Sequence, residues 1–375
     1  MGSLSVFFAG DFCSKPSTTR ITVSEELKSL INSCDLRLVN FEVPLKPECT
    51  LPQQGRERFY QNEDAPAFLK DLGFNLFSLA NNHAFDWGDE GFKKTKAVLG
   101  DASFGAGTYE DAYKPKIVSM NGIKIGFMGL SFAAYTGVFD DVASHSGLGC
   151  AYINALRVNH DIVEAKRNVD YLFIVPHDGI EYIDVPLPDT IARYRDFIDY
   201  GADGVIASHP HCPQGWEQYK GKPIFYSLGN FLFNSKEGYG FHADKPHWYE
   251  GLCVVINISD GKITWRVVNT RNVDNLSIVI DHDENRSIVN RQLCHFLEDD
   301  AAYETYLQPI LERQAESDFH RIKKLFLPST LKEMIRDFVL CLRRRRPSSK
   351  EELFFMLKND LKRNRFLRVL GNNKY

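Results

Sequence analysis

Short apolar runs, each closing on a residue able to bind a metal ion or move a proton, recur through the first two-thirds of this chain. Residues 4–9 lead into Gly10-Asp11, 36–41 into Glu42, and 76–80 into Asn81-Asn82-His83. Residues 171–175 lead into Pro176-His177, and Gly204-Val205-Ile206-Ala207 into Ser208-His209-Pro210-His211. Runs of this length are buried strands. The strand set predicted from them is 4–9, 36–41, 76–80, 117–120, 123–130, 171–175, 205–207 and 223–228. Amphipathic stretches at 25–32, 65–72, 90–99, 155–168 and 189–200 read as the intervening helices. Such alternation builds a largely parallel sheet, and open α/β sheets carry their sites at the carboxyl ends of the strands. The polar residues would then converge. His209-Pro210-His211 alone is a weak metal signal, since a single histidine after a buried strand is commonly a satisfied core residue. Repetition at four other strand ends makes the pattern that of an enzyme site.

Two dipeptides predict hairpins. Asn121-Gly122 separates 117–120 from 123–130, and Asp260-Gly261 separates 252–258 from 263–268; both pairs suit two-residue turns with positive φ. Parallel strands that meet antiparallel hairpins imply a layered α/β/β/α sandwich. Beyond about residue 280 strand signals stop, and helical periodicity runs from 285 to 368, interrupted near Pro309, Pro328 and Pro347. The expected organisation is a body over 1–275 and a helical, basic extension over 276–375.

Charge divides the same way. Residues 321–375 hold 16 Lys+Arg against 5 Asp+Glu, whereas the first 320 hold 29 against 44. A basic tail on an acidic body suits an anionic membrane surface, an anionic polymer or a partner protein, and equally a solvated helical face. The Arg343-Arg344-Arg345-Arg346 run has no nucleic-acid motif beside it, so nucleic acid is not an expected partner. No stretch reaches the ~18 uninterrupted apolar residues that would span a bilayer. The run Val6-Phe7-Phe8-Ala9 stops at Gly10-Asp11 and reads as a core strand, not a leader. Eight cysteines without a CxxC pair suit reduced thiols, and the expected location is cytoplasmic, with peripheral membrane association through the tail.

Six motifs in order resemble those of the CapA family, the poly-γ-glutamate capsule-synthesis proteins, within the calcineurin-like metallophosphoesterase superfamily. They are Gly10-Asp11, Asn40-Phe41-Glu42, the stretch from Asn81 to Gly88, His177-Asp178-Gly179-Ile180-Glu181, His209-Pro210-His211 and the stretch from Tyr226 to Phe231. The resemblance covers roughly residues 4–270 and implies a four-layer metallophosphatase sandwich holding divalent ions, two of Mn, Fe or Zn. It implies Asp11, Glu42, Asn82, His177, His209 and His211 as metal ligands, with Glu42 where the superfamily has a bridging Asp. His83 is implied as an unligated acid that stabilises or protonates the reacting group. Asp86 either orients His83 or caps the helix that begins near Gly88, and Glu181 is a supporting partner or a base. Many superfamily members have a histidine two residues after the first Asp; this chain has Cys13 there, which either packs or ligates as a thiolate.

The chemistry implied is metal-assisted hydrolysis of a phosphoester, or of an amide or peptide bond in a poly-γ-glutamate-type surface polymer, with His83 as general acid. Two other readings use the same residues. One is metal-dependent epimerisation of a peptide, with the metals polarising a carbonyl while His83 and another base move an α-proton. The other is a non-catalytic accessory subunit of a membrane polymer synthase or exporter, docked through the basic tail. The substrate expected is an anionic polymer or a peptide-like molecule.

Overall fold

A computed structural model describes residues 2–48, 59–132, 147–234, 245 and 247–326. Two mixed sheets lie face to face. In the larger, the strands run in space β2 (Thr22–Val23), β17 (Ser277–Ile280), β16 (Lys262–Val273), β15 (Glu250–Ser259), β1 (Leu4–Ser14), β3 (Leu36–Phe41), β4 (Leu76–Ser78) and β5 (Ser103–Phe104). A further strand, β14 (Asn230–Asn234), pairs parallel with the far half of β1. The second sheet is ordered β12 (Trp216–Tyr219), β13 (Lys222–Phe225), β11 (Gly204–Ile206), β10 (Tyr171–His177), β8 (Ile123–Ser131) and β7 (Lys116–Met120). A small two-stranded pair joins β6 (Ala106–Gly107) to β9 (Gly149–Cys150).

Both faces of the central strands β1, β3, β8 and β10 are covered, which explains why they read as near-continuous apolar runs, whereas β7, β12 and the first half of β16 keep exposed residues. Phe8, Leu38, Ile125, Phe127, Phe173 and Val254 fill the space between the sheets. Helices α1 (Glu25–Asn32), α2 (Ala65–Asp71) and α3 (Gly88–Leu99) bury Leu27, Leu69 and Phe92 on the outer side of the first sheet. Helices α4 (Tyr109–Tyr113), α5 (Arg157–Arg167) and α6 (Pro188–Asp199) bury Tyr113, Ile162 and Phe197 against the second. The order of layers is therefore α/β/β/α, as the alternation of apolar runs and amphipathic stretches requires.

Both predicted hairpins form, with φ of 53° and 76° at Asn121 and Gly122 and of 50° and 75° at Asp260 and Gly261. The sheet runs past residue 275, because β17 pairs with β16 and with β2. Two helices follow, α7 (Glu284–Phe296) and α8 (Asp300–Phe326). The break expected at Pro309 is absent: Pro309 lies inside α8. Proline removes one helical hydrogen bond, but Leu307 and Leu311 on either side of it are buried against Ile183, Val185 and Leu187 of the body. Burial on both flanks holds the helix through the defect. The expected breaks at Pro328 and Pro347 and the arginine run at 343–346 lie outside the described residues. Among the described residues no helix is long and apolar enough to cross a membrane.

Candidate metal centre

Strands β1, β3 and β10 end on the same side of the two sheets, and the loop after β11 closes over them. β1 brings Asp11 there through a bulge, since its register against β3 shifts between Ala9 and Asp11. Gly10 makes the bulge possible: a Cβ there would stand 1.9 Å from the carbonyl oxygen of Gly229. That carbonyl accepts the Asp11 amide at 3.0 Å. Gln61 straps Glu42 to β1, donating from Nε2 to the carbonyls of Phe12 at 2.8 Å and Glu42 at 2.7 Å. His209 and His211 both have positive φ, 109° and 57°. Non-glycine residues in that region cost of order 1–3 kcal/mol each and persist where surrounding contacts over-determine them. Here the His209 amide donates to Asp11 Oδ2 at 3.0 Å, and the Pro210 carbonyl accepts from Tyr182 at 2.8 Å.

All six residues expected as ligands meet in one buried cluster. Glu42, His177 and His209 offer donor atoms within 4.8 Å of one another, and so do Asp11, Glu42 and His211. Glu42 is common to both groups. Asn82 joins the first, its Oδ1 lying 2.9 Å from His177 Nε2, which is itself 3.1 Å from His209 Nδ1. Donors around an ion at about 2.1 Å stand about 3.0–3.4 Å apart in octahedral or tetrahedral sites. Glu42 Oε1 lies 3.7 Å from His177 Nε2 and 3.8 Å from His211 Nε2. The spacing and the mix of imidazole and carboxylate suit divalent ions such as Mn, Fe or Zn.

Glu42 supplies the sharpest test of that fit. Its side chain is fully buried, and neither carboxylate oxygen has a hydrogen-bond partner among the described residues. A buried carboxylate without a hydrogen bond is expensive, and a cation is what would satisfy it. Burial, reinforced by Asp11, Glu181 and Asp86, pushes its carboxyl well above the usual carboxylate range. Asp11 behaves oppositely: burial opposes its charge, but the hydrogen bond and fields from His177 and His211 outweigh it and lower its pKa. Burial lowers the pKa of His177 despite Asp11, leaving a neutral imidazole fit to ligate. Asn40 ties these two together, its Nδ2 lying 2.7 Å from Asp11 Oδ1 and 3.1 Å from His177 Nδ1.

His83 stands at the mouth, with Nε2 4.0 Å from Glu42 Oε1 and Nδ1 2.9 Å from Asp86 Oδ2. Burial works against its charged form, but Asp86, Glu181 and Asp11 raise its pKa overall. Of the two roles open to Asp86, the geometry gives contact with His83; α3 begins at Gly88 with no side-chain cap. Glu181 is exposed and, among the described residues, enters no hydrogen bond or ion pair, so it reaches the cluster only through its field. Cys13 packs with Val43, Phe233 and Trp248, and burial raises its thiol well above the usual range. It belongs to neither donor group.

Asn230 is the residue to which sequence reasoning gave too small a part. Its Oδ1 lies 2.9 Å from His211 Nδ1. Its only signal in the sequence is its place in the Tyr226–Phe231 motif. Trp248, whose ring lies 4.9 Å from that of His211, sits next to His247 and gave no signal.

Residues 6–235 match the family described as bacterial capsule synthesis protein PGA_cap. The PGA biosynthesis protein CapA of Bacillus subtilis is 30% identical over 244 residues, which are 62% of this chain and 63% of that one. The capsule biosynthesis protein CapA of Bacillus anthracis is 31% identical over 52% of this chain and 49% of its own. A probable polyglutamine synthesis accessory protein of Mycobacterium tuberculosis is 26% identical over 58% of this chain and 60% of its own. The chain thus spans less than two-thirds of the length of each of these relatives. With more than half of its residues matched and its six motifs gathered at one centre, the chain belongs to the bacterial capsule synthesis protein family PGA_cap.

Proposed function

We propose that this chain is a divalent-metal-dependent hydrolase of surface-polymer metabolism, cleaving a phosphoester or an amide bond in or near a poly-γ-glutamate-type polymer. The observation that carries the reading is Glu42, a buried carboxylate without a hydrogen-bond partner among the described residues that is common to two groups of donor atoms. Asp11 and His211 would complete one ion site, and Asn82, His177 and His209 the other. Bound there, the ions would polarise the scissile group and lower the pKa of water.

The chain's own residues do the rest. His83 accepts orientation from Asp86 through Nδ1 and turns Nε2 toward the space above Glu42. Its raised pKa favours the protonated form, which can give a proton to the leaving oxygen or nitrogen. Its side chain remains 18% exposed, so it can be reprotonated from solvent. Phe59 and Phe132 pack against His83 and His209, at 5.1 Å and 4.6 Å between ring centroids, and limit the approach of water from the sides.

Metal content by plasma mass spectrometry, on wild type and His209→Ala purified without chelator, tests this. About two equivalents in the wild type, reduced in the variant, is the expected result. No metal in the wild type after reconstitution would sink the proposal. That outcome would favour an accessory role, the description carried by the Mycobacterium tuberculosis relative.

A further inference from the structure

Two lysines stand four residues beyond the two carboxylates of the centre: Lys15 follows Asp11, and Lys46 follows Glu42. Four extended residues span at most about 14 Å, so the backbone of each lysine stays near the centre. Their ammonium groups converge on one aromatic shelf. Lys15 Nζ lies 5.1 Å from the Tyr60 ring centroid, and Lys46 Nζ lies 5.6 Å from the same centroid and 5.3 Å from that of Trp87.

The shelf is fastened to the acid end of the site. Tyr60 packs edge-on to Trp87 at 6.1 Å, and Trp87 Nε1 donates to the Phe59 carbonyl at 2.9 Å. Phe59 in turn packs edge-on to His83 at 5.1 Å, and its amide donates to Asp86 Oδ2 at 3.1 Å. One dipeptide, Phe59-Tyr60, therefore links the proton donor to the two cations.

Lysines over aromatic rings are ordinary surface features. Two that meet on one ring with no carboxylate between them are less so, because like charges repel. Among the described residues neither Lys15 nor Lys46 forms an ion pair. Their neighbour Lys94 contrasts with them: it donates to the Lys46 carbonyl at 2.9 Å, and its charge is met by Glu63 at 2.5 Å. The surrounding body is acidic, with 44 acidic against 29 basic residues over 1–320. Two cations that no carboxylate meets among the described residues, on a ring pair that reaches His83 through Phe59, make a place where an anionic group would be held.

We propose that Lys15 and Lys46, seated on Tyr60 and Trp87 beside His83, bind an anionic group, carboxylate or phosphate, carried on the leaving-group side of the substrate. The side follows from the reading of His83 as proton donor, on which this inference rests.

The probes are alkyl phosphates of graded chain length, each paired with the same molecule ending in a carboxylate or in a second phosphate. Calorimetry on the metal-loaded protein gives the ratio of affinities between tipped and plain probes. At one chain length the wild type should prefer a tipped probe by about fivefold, the yield of two exposed ion pairs. The ratio should fall toward one in the K15A/K46A double variant and return in K15R/K46R. A larger ratio for the second phosphate than for the carboxylate would identify the group as phosphate, and the reverse as carboxylate. A preference retained by K15A/K46A, or absent at every chain length while plain probes bind, overturns the subsite alone. Failure of both series to bind metal-loaded wild type overturns the metal-centred reading, and the subsite with it.

Discussion

Asn230 decides which nitrogen of His211 faces Glu42. The Asn230 amide nitrogen is committed to two backbone carbonyls, those of Trp248 at 2.9 Å and His211 at 3.3 Å. Its Oδ1 can then only accept, and it takes the proton of His211 Nδ1. The lone pair of Nε2 is left pointing toward Glu42. Removing an outer partner of this kind costs about 10–100-fold in metal affinity. Asn230→Ala should show such a loss in a competition titration against a chelator, with the fold intact by circular dichroism. Unchanged affinity would mean that His211 is oriented by something else.

Glu42→Gln should separate stability from metal binding. Without metal, the variant should be more stable than wild type by about 1–3 kcal/mol, because the cost of burying an ionisable carboxyl that makes no hydrogen bond has gone. With metal, the order should reverse. The pH dependence has a defined sign: the Glu42 carboxyl is raised above its ordinary 4.5 in the folded protein. Its stabilising contribution is therefore present below that value and lost as pH rises. Metal-free wild type should match Glu42→Gln in acid and fall behind toward neutral pH, as read by denaturant melts.

His83→Ala should retain its metal, since His83 lies outside both donor groups, while hydrolysis falls by about 10²–10⁴-fold. Asp86→Asn should move the activity in the same direction and shift the pH profile, because the partner that raises the His83 pKa is removed. Loss of metal from His83→Ala would show that the role assigned to it is wrong.

Cys13→Ala should leave the metal content unchanged and cost about 1–2 kcal/mol of stability. Its thiol is walled in by Val43, Phe233 and Trp248, and should resist alkylation in the folded protein. A drop in bound metal would restore the thiolate reading.

The C-terminal helices are fastened to the segment that follows the His177–Glu181 motif and to β15. Tyr306 donates to Asp184 at 2.7 Å, Tyr303 donates to the Pro186 carbonyl, and Arg286 pairs with Glu250. Leu307→Ala should weaken this docking by about 2–5 kcal/mol. Amide exchange should then quicken both in α8 and over residues 183–187.

Where periodicity and turn chemistry agreed, the chain was legible: β3 and α1 begin and end where the apolar pattern begins and ends. The gathering of Asp11, Glu42, Asn82, His177, His209 and His211 in one cluster was legible because each follows a buried strand and so inherits its direction. Residues 230–234 were harder. They follow the predicted strand 223–228 after only Gly229, and pairing with β1, more than 200 residues away in the chain, makes them a separate strand. β17 is four residues long and gains its partners from β16 and the distant β2. Pro309 misled for a related reason: local propensity argues for a break, and the buried leucines beside it override that tendency. Asn230 and the lysine shelf depend on side-chain directions that no spacing rule specifies.

β1 lies at the middle of its sheet, and its neighbours come from residues 36–41, 230–234 and 250–259. Contacts so distant in sequence form slowly, because the loop must close before any pairing repays it. During synthesis the first strand leaves the ribosome long before most of its partners exist. Asp11 then waits for Asn40, for His177 and His209, and finally for the turn at Gly229 that seats its amide. An ion could thus be held at this centre only after some 230 residues have emerged and the β14 strand has docked, so the donor set is completed late in folding and not with its first strand.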